Sequence, residues 1–164
     1  FMSNPKTLNT SLRSNDYDRE MTKFIGEKYQ KYYKENFEKI TLKKPIGGFN
    51  WAAFFLTFAW LFYRNMYLIG LSFLALIILI GLISEYWGFQ TTSTGLIISV
   101  ILGMYGNGMY KQFSEKKIAD IKKVNPTGSN VLRELQKEGG TNIWAGTITL
   151  LIIVSLTAYA FMGN

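Results

Sequence analysis

Gly47-Gly48-Phe49-Asn50-Trp51-Ala52-Ala53-Phe54-Phe55-Leu56-Thr57-Phe58-Ala59-Trp60-Leu61-Phe62-Tyr63-Arg64-Asn65-Met66-Tyr67 separates a charged, water-compatible arm from a mostly apolar remainder. Residues 49–63 are apolar all round, with Ala52, Ala53 and Thr57 as small residues on one side. A helix without a polar face is buried rather than resting on a surface. Yet its 15 residues, at about 1.5 Å each, reach only about 22 Å, short of a hydrocarbon core of about 30 Å. Arg64 closes the stretch, and a charge near the bilayer centre costs about 2.5–3.5 kcal/mol on insertion scales. The reading is a half-inserted or re-entrant helix over 49–65 that turns at Arg64-Asn65.

Outward from this stretch, charge is segregated. Lys and Arg occur up to Arg64, vanish from Asn65 through Tyr110, return between Lys111 and Lys137, and vanish again. Met66–Ser84 is a charge-free run closed by Glu85-Tyr86-Trp87, an interfacial aromatic belt with Glu85 as an interface residue. Gly95–Tyr110 is a shorter second span. Its Gly95, Ser99, Gly103 and Gly106 form a small-residue stripe on which a neighbouring helix, most simply the preceding span, can pack closely. Gly103 to Gly108 lacks the preceding strand and the Lys-Ser/Thr ending of a phosphate-binding loop, so that reading is rejected. Ile143–Met162, opened by Trp144, is the third span.

The water-facing parts read as follows. Residues 1–15, with Asn4-Pro5, Asn9-Thr10-Ser11 and Ser14-Asn15, form an expected flexible tail, and the glycosylation-like triplet carries little weight there. From Asp16 a helix is expected up to the Pro45-Ile46-Gly47-Gly48 breaker, so that 16–48 is an amphipathic helix and linker. Its stripe comprises Tyr17, Met21, Phe24, Ile25, Tyr29, Tyr32, Phe37 and Ile40 at steps of three and four. Residues 111–142 form a basic loop in which helix continues to Val124. Asn125-Pro126-Thr127-Gly128 then breaks it, and a short helix Val131–Glu138 stops at Gly139-Gly140.

The expected fold class is therefore an all-α integral membrane protein. It has a cytoplasmic amphipathic helix, one re-entrant helix and three transmembrane helices, the membrane domain covering 49–162. Placing the arm, Arg64 and loop 111–142 in the cytoplasm puts every Lys and Arg inside and the C-terminus outside. No cleavable signal precedes the arm, so the first apolar segments are expected to direct insertion. Trp51, Trp60, Tyr63, Arg64, Tyr67, Tyr86, Trp87 and Trp144 are the expected interface anchors. Tyr29, Tyr32, Phe37, Lys111, Lys116 and Lys117 form a candidate partner or lipid surface. The net charge of +7 fits anionic headgroups rather than nucleic acid.

With no Cys and no His, disulfides, thiolate nucleophiles, imidazole bases and the common zinc sites are excluded. Glu85, the lysines and the tyrosines show no catalytic spacing, so no enzyme activity, cofactor or metal is expected. The first functional expectation is a non-catalytic accessory or stabilising subunit of a larger membrane complex, with lipids and protein subunits as partners. The second is a small homo-oligomeric transporter, channel or lipid-binding protein. An immunity-type protective membrane protein fits the same composition.

Several blocks resemble a known family. They are Tyr32-Tyr33 with Phe37 and Ile40; Phe49-Asn50-Trp51-Ala52-Ala53-Phe54; Trp60-Leu61-Phe62-Tyr63-Arg64-Asn65-Met66-Tyr67; Gly106-Asn107 with Tyr110; and Gly139-Gly140-Thr141. Together, over about residues 24 to 160, the chain resembles the bacterial domain-of-unknown-function family numbered twenty-six twenty-eight, small helical inner-membrane proteins. The resemblance implies a multi-pass protein of the bacterial inner membrane and no particular activity. Asn65 stands where the resemblance leads one to expect Lys. On the residues alone, Asn50 is suited to satisfy backbone groups where the Gly47-Gly48 break starts a helix.

Overall fold

A computed structural model describes residues 5–41, 43–88, 93–124 and 128–162, with side chains from residue 13 onward except 128–129 and 160–161. Among these residues the chain is helical, with only an isolated Thr41–Lys44 bridge of extended type. The elements are α1 (Pro5–Ile25), a π-helical turn (Tyr29–Tyr33), α2 (Lys34–Glu38), α3 (Trp51–Leu56), α4 (Phe58–Tyr63), α5 (Tyr67–Trp87), α6 (Thr94–Val124), α7 (Gly128–Glu138) and α8 (Ile143–Met162). They fall into two compact units. Unit 1 holds 1–47 and 108–140, and unit 2 holds 48–107 and 141–164.

In unit 1, α1 begins at Pro5 rather than at Asp16, so residues 5–15 are helical where an irregular tail was expected. Pro is well suited to the first helical turn, where its missing N–H leaves nothing unsatisfied. The expected single helix up to the Pro45 breaker is in fact interrupted at Gly26, whose φ of +87° is left-handed. The interruption strands the Phe24 carbonyl, and the Gly140 N–H donates to it at 2.7 Å. Gly139 lies so close that an added Cβ would sit 2.1 Å from that same oxygen. The Gly139-Gly140 pair thus ends α7 and seats it on the C-terminus of α1.

Past Gly26 the wider π-helical turn shifts the buried face. Tyr29 and Tyr33 point inward, while Tyr32, expected in the stripe, is 39% exposed. A strict 3.6-residue period cannot anticipate a break followed by a wide turn. Met21, Phe24, Ile25, Tyr29, Tyr33, Phe37, Tyr110, Ile118, Val131 and Leu135 make the buried core. Tyr33 and Tyr110 rings lie 5.0 Å apart, and Phe37 meets Tyr110 at 6.3 Å. Each such ring pair contributes about 0.5–1.5 kcal/mol beyond its burial.

Unit 2 has the opposite character. α5 and α8 are long and apolar enough to cross a membrane, as expected of the first and third spans. Only 11% of the apolar window of α5 is buried, which is unlike the core helix of a water-soluble protein. Leu68, Leu71, Ile78, Leu79 and Leu82 on α5, and Leu151, Ile152, Val154 and Leu156 on α8, are exposed. Residues 49–63 do not form one helix. Thr57, at φ +41° and ψ −108°, divides them into α3 and α4. Six residues of helix rise only about 9 Å, so neither piece reaches across a bilayer core. Arg64 and Asn65 form the expected turn, with Asn65 at φ +59°, a conformation Asn tolerates better than most residues.

α6 continues helically from its apolar first half through Val124, as expected, so Gly103 to Gly108 are helical. α7 starts at Gly128 rather than Val131. The Asn125-Pro126-Thr127 breaker, residues 89–92 between the first two expected spans, and the Asn9-Thr10-Ser11 side chains lie outside the described residues.

Candidate functional site

The chemistry of unit 2 is concentrated in a few amides. Asn50 precedes α3 in an extended conformation, and its Oδ1 accepts from the Ala53 N–H at 2.9 Å, the N-cap foreseen for it. Its Nδ2 donates to Asn107 Oδ1 at 2.9 Å, and Asn107 Nδ2 donates to the Gly48 carbonyl at 3.2 Å. Both residues are buried, at 1% and 0% exposure. The Asn50 N–H also reaches the Gly103 carbonyl of α6 at 2.7 Å.

The small residues of α6 explain this approach. A Cβ on Gly103 would fall 2.4 Å from the Phe49 ring, and one on Gly106 would meet Ala53 Cβ at 3.1 Å. Those two positions therefore pack as expected of the stripe, but against the start of α3 rather than against α5. Gly95 meets nothing within 4 Å, and Ser99 bonds back to the Gly95 carbonyl. Only the lower part of the stripe is a packing surface.

A second cluster surrounds the α4–α5 turn. Asn142 caps α8 through Oδ1 on the Ala145 N–H at 3.0 Å, and its Nδ2 donates to the Tyr67 hydroxyl at 2.9 Å. Its own N–H bonds the Tyr63 carbonyl at 2.8 Å, while Tyr67 donates to Asn65 Oδ1 at 3.0 Å. Sequence reading missed Asn142, although an Asn immediately ahead of an apolar run is an N-cap signal. Gly146 continues the α4–α8 contact: a Cβ there would lie 2.9 Å from Tyr63 Cβ and 3.3 Å from the Ala59 carbonyl.

Two expected surface anchors are buried instead. Trp60 is 2% exposed and Arg64 is 3% exposed. Trp60 lies with Ala59 and Leu61 in the interior of unit 2, and the Arg64 guanidinium sits 5.4 Å from the Tyr63 ring centroid. A side chain enclosed by its own fold does not face headgroups. Trp51, Tyr67, Tyr86, Trp87 and Trp144 are exposed, Tyr63 is half-buried, and Glu85 is exposed beside Tyr86.

Unit 1 corrects the candidate partner surface in the same way. Tyr29 and Phe37 are core residues, and Lys111 donates to the Phe37 and Ile40 carbonyls at 2.9 and 3.2 Å. Lys111 therefore closes the C-terminal end of α2, a role cations favour. Lys116, Lys117 and Tyr32 remain exposed. Polar groups in the unit are tied to one another: Tyr29 donates to Asp18, which also pairs with Lys34, and Tyr17 donates to Glu115 at 2.8 Å. Burial and the bond to Glu115 push the Tyr17 pKa up, and burial and Asp18 do the same to Tyr29. A shallow open groove of about 410 Å³ lies beside Tyr17, Glu20, Met21, Glu115, Ile118, Ala119 and Lys122. Of its rim charges, Glu20 pairs with Lys122 and Glu115 accepts from Tyr17. Among the described residues no acidic, His or Cys cluster could hold a metal ion.

Among curated proteins and solved structures, nothing matches the chain. A family model described as "Protein of unknown function (DUF2628)" matches residues 17–116, which include α1 from Tyr17, α3, α4, α5 and most of α6, with both members of the Asn50–Asn107 pair. The Gly139-Gly140-Thr141 block lies beyond the match. On this match the chain belongs to the DUF2628 family.

Proposed function

We propose that the chain is a multi-pass protein of the bacterial inner membrane that acts as a non-catalytic accessory or stabilising subunit of a larger membrane complex. The observation that carries this reading is segregation between the units. Of 18 Lys and Arg, only Arg64 lies in unit 2, and of 11 Asp and Glu, only Glu85. Among the described residues, every exposed large apolar side chain except Tyr32 and Val124 belongs to unit 2. Water does not tolerate so extended an apolar exterior, whereas lipid does.

In this reading α5, the first half of α6 and α8 are the three spans. α3 and α4 enter from the cytoplasmic side without crossing, and unit 1 is cytoplasmic. The C-terminus is outside, as the distribution of Lys and Arg favours. The buried amides of unit 2, Asn50 and Asn107, are spent on a cap, on backbone and on each other, which suits a scaffold. A homo-oligomeric transport role would draw on the broken α3–α4 segment, since interrupted helices frame many transport sites. That role predicts solute flux in proteoliposomes.

Purification from the natural host in mild detergent, followed by mass spectrometry, tests the first reading. A membrane complex retained at fixed stoichiometry supports it. A chain recovered only with lipid and copies of itself overturns it.

A further inference from the structure

Unit 1 carries 17 Lys and Arg (all 18 but Arg64) against 10 Asp and Glu (all 11 but Glu85), a balance of +7. The groove between α1 and the second half of α6 has the other sign. Glu20 and Glu115 border it, and Lys122 is the one cation among its lining residues, which leaves an excess of one negative charge.

Helical spacing builds this groove. Tyr17, Glu20 and Met21 share one face of α1, and Glu115, Ile118, Ala119 and Lys122 share one face of α6 at steps of three and four. Met21 at 1% and Ile118 at 6% exposure belong to the core beneath it. Two polar links join the helices across it, Tyr17 to Glu115 at 2.8 Å and Glu20 to Lys122. Phe24 and Phe113 continue the same helix contact, their rings 6.4 Å apart. Each polar link engages only Oε1 of its carboxylate. A carboxylate has about four acceptor sites, so both acids retain capacity for a further donor. The volume of about 410 Å³ falls in the range of small-ligand sites, which pair an apolar wall with a few convergent polar groups.

We propose that this groove binds an aliphatic monoamine, with its ammonium group between Glu20 and Glu115 and its hydrocarbon body on Met21, Ile118 and Ala119. A bare metal ion is a poorer match, because among the described residues no third acid, His or Cys joins the two carboxylates. One positive charge cancels the excess of the groove. Each additional charge would meet the repulsion of the +7 unit around it, which disfavours polyamines and basic peptides. Lys122 competes with the ligand for Glu20. The site lies wholly within unit 1 and goes beyond the subunit reading, which neither requires nor supplies it.

Methionine methyl groups give a local test. The full chain, labelled with 13C-methyl methionine and reconstituted in nanodiscs, is titrated with hexylammonium, hexanol and hexanoate. Met21→Leu assigns the Met21 signal, and Met66, buried in unit 2, reports on indirect effects. Hexylammonium should shift the Met21 methyl saturably and leave Met66 unmoved. Hexanol should bind about tenfold more weakly, and hexanoate should not bind. Glu115→Gln keeps an acceptor for Tyr17 but removes the charge, and should weaken hexylammonium about tenfold. Lys122→Gln removes the competitor and should tighten it about threefold. Loss of structure would not move the two variants in opposite directions. A Met21 methyl that ignores hexylammonium overturns the proposal. Equal binding of hexanol reduces the groove to an apolar crevice, and joint shifts of Met21 and Met66 reduce the effect to partition into the bilayer; either overturns it. Unchanged affinity in Glu115→Gln, or no gain in Lys122→Gln, overturns the assignment of the carboxylates.

Discussion

Asn50 Nδ2 donates to Asn107 Oδ1 across 2.9 Å, joining two residues 57 positions apart, both buried within unit 2. Each amide is also bonded to backbone, Asn50 to Ala53 and Asn107 to Gly48. A buried amide that loses its partner is destabilised by about 1–3 kcal/mol. Asn107→Ala should therefore cost about 2 kcal/mol, and Asn50→Ala more, because it also removes an N-cap worth about 1 kcal/mol. The double variant should cost clearly less than the sum, since the second change removes an already orphaned group. Thermal unfolding of the four proteins in one detergent measures this coupling.

Glycine substitutions separate close approaches from open positions. Gly47→Ala and Gly139→Ala each place a Cβ about 2 Å from a backbone carbonyl, of Asn36 and Phe24 respectively. Backbone cannot swing aside, so both should lower the midpoint of unfolding sharply. At Gly103 the obstacle is the Phe49 ring, so Phe49→Leu should partly rescue Gly103→Ala. Gly95→Ala meets open space and should be neutral or gain up to about 1 kcal/mol from helix propensity. Equal losses at Gly95 and Gly103 would contradict these packing assignments.

The contrast between Gly95 and Gly103 also shows what the sequence could convey. Four-residue spacing identified a helix face with small residues, but nothing in the spacing names the neighbour, which is Phe49 rather than α5. α5 and α8 were legible because an uninterrupted apolar run has few alternatives. The interior of unit 2 was not. Trp60 and Arg64 share the local chemistry of interface anchors, and only the fold of α4 against α8 encloses them. Gly26 was a readable break at the end of the Phe24-Ile25 run, yet the regular period of the stripe on both sides masked it. Pro5 was readable as a helix start, but the Asn, Ser and Thr that follow have weak helix propensity and favoured an irregular reading.

Titration should act on unit 1 from both ends of the pH scale. Burial raises the Asp18 pKa, but hydrogen bonds from Lys34 and Tyr29 outweigh it and hold the carboxyl below its ordinary 3.8. The stability that Asp18 contributes is present above that value and is lost as pH falls through its lower folded pKa. Tyr29 and Tyr17 are raised above 10.0 by burial and by carboxylate partners. Their contribution is complete below pH 10 and is lost as pH rises toward their folded pKa values. Tyr29→Phe should flatten the alkaline limb while lowering neutral-pH stability by about 1.5–3 kcal/mol, the range for a hydrogen bond to a charged acceptor. Unfolding midpoints of both proteins across acid, neutral and alkaline buffers test the sign at each end.

Thr57 holds a β-branched side chain at φ +41° between α3 and α4. Such conformations cost about 1–3 kcal/mol for a residue with a Cβ and little for glycine. Thr57→Gly should raise stability by about 1 kcal/mol if the break is fixed by its backbone bonds, from the Thr57 N–H to the Ala53 carbonyl at 2.9 Å and from the Leu61 N–H to the Thr57 carbonyl at 3.3 Å. Thr57→Val retains the strain and should gain nothing. A Thr57→Gly variant less stable than Thr57→Val would mean that the Thr side chain itself holds the break.

Ser114 tests how tightly the aromatic core of unit 1 is specified. It lies on α6, fully buried, and its hydroxyl has no hydrogen-bond partner. An orphaned buried hydroxyl is a cost rather than a contribution. Removing it should be favourable, and alanine is also the better helix former by about 0.5 kcal/mol. Ser114→Ala is thus expected to raise stability by about 1 kcal/mol. Ser114→Leu adds volume to a filled interior near Tyr110 and Ile118, and overpacking of that kind costs about 1–3 kcal/mol. Opposite signs for the two substitutions, read as shifts in the denaturation midpoint, would establish that the position is selected for small size and not for its hydroxyl. A loss of stability in Ser114→Ala would assign the hydroxyl a partner and reverse that conclusion.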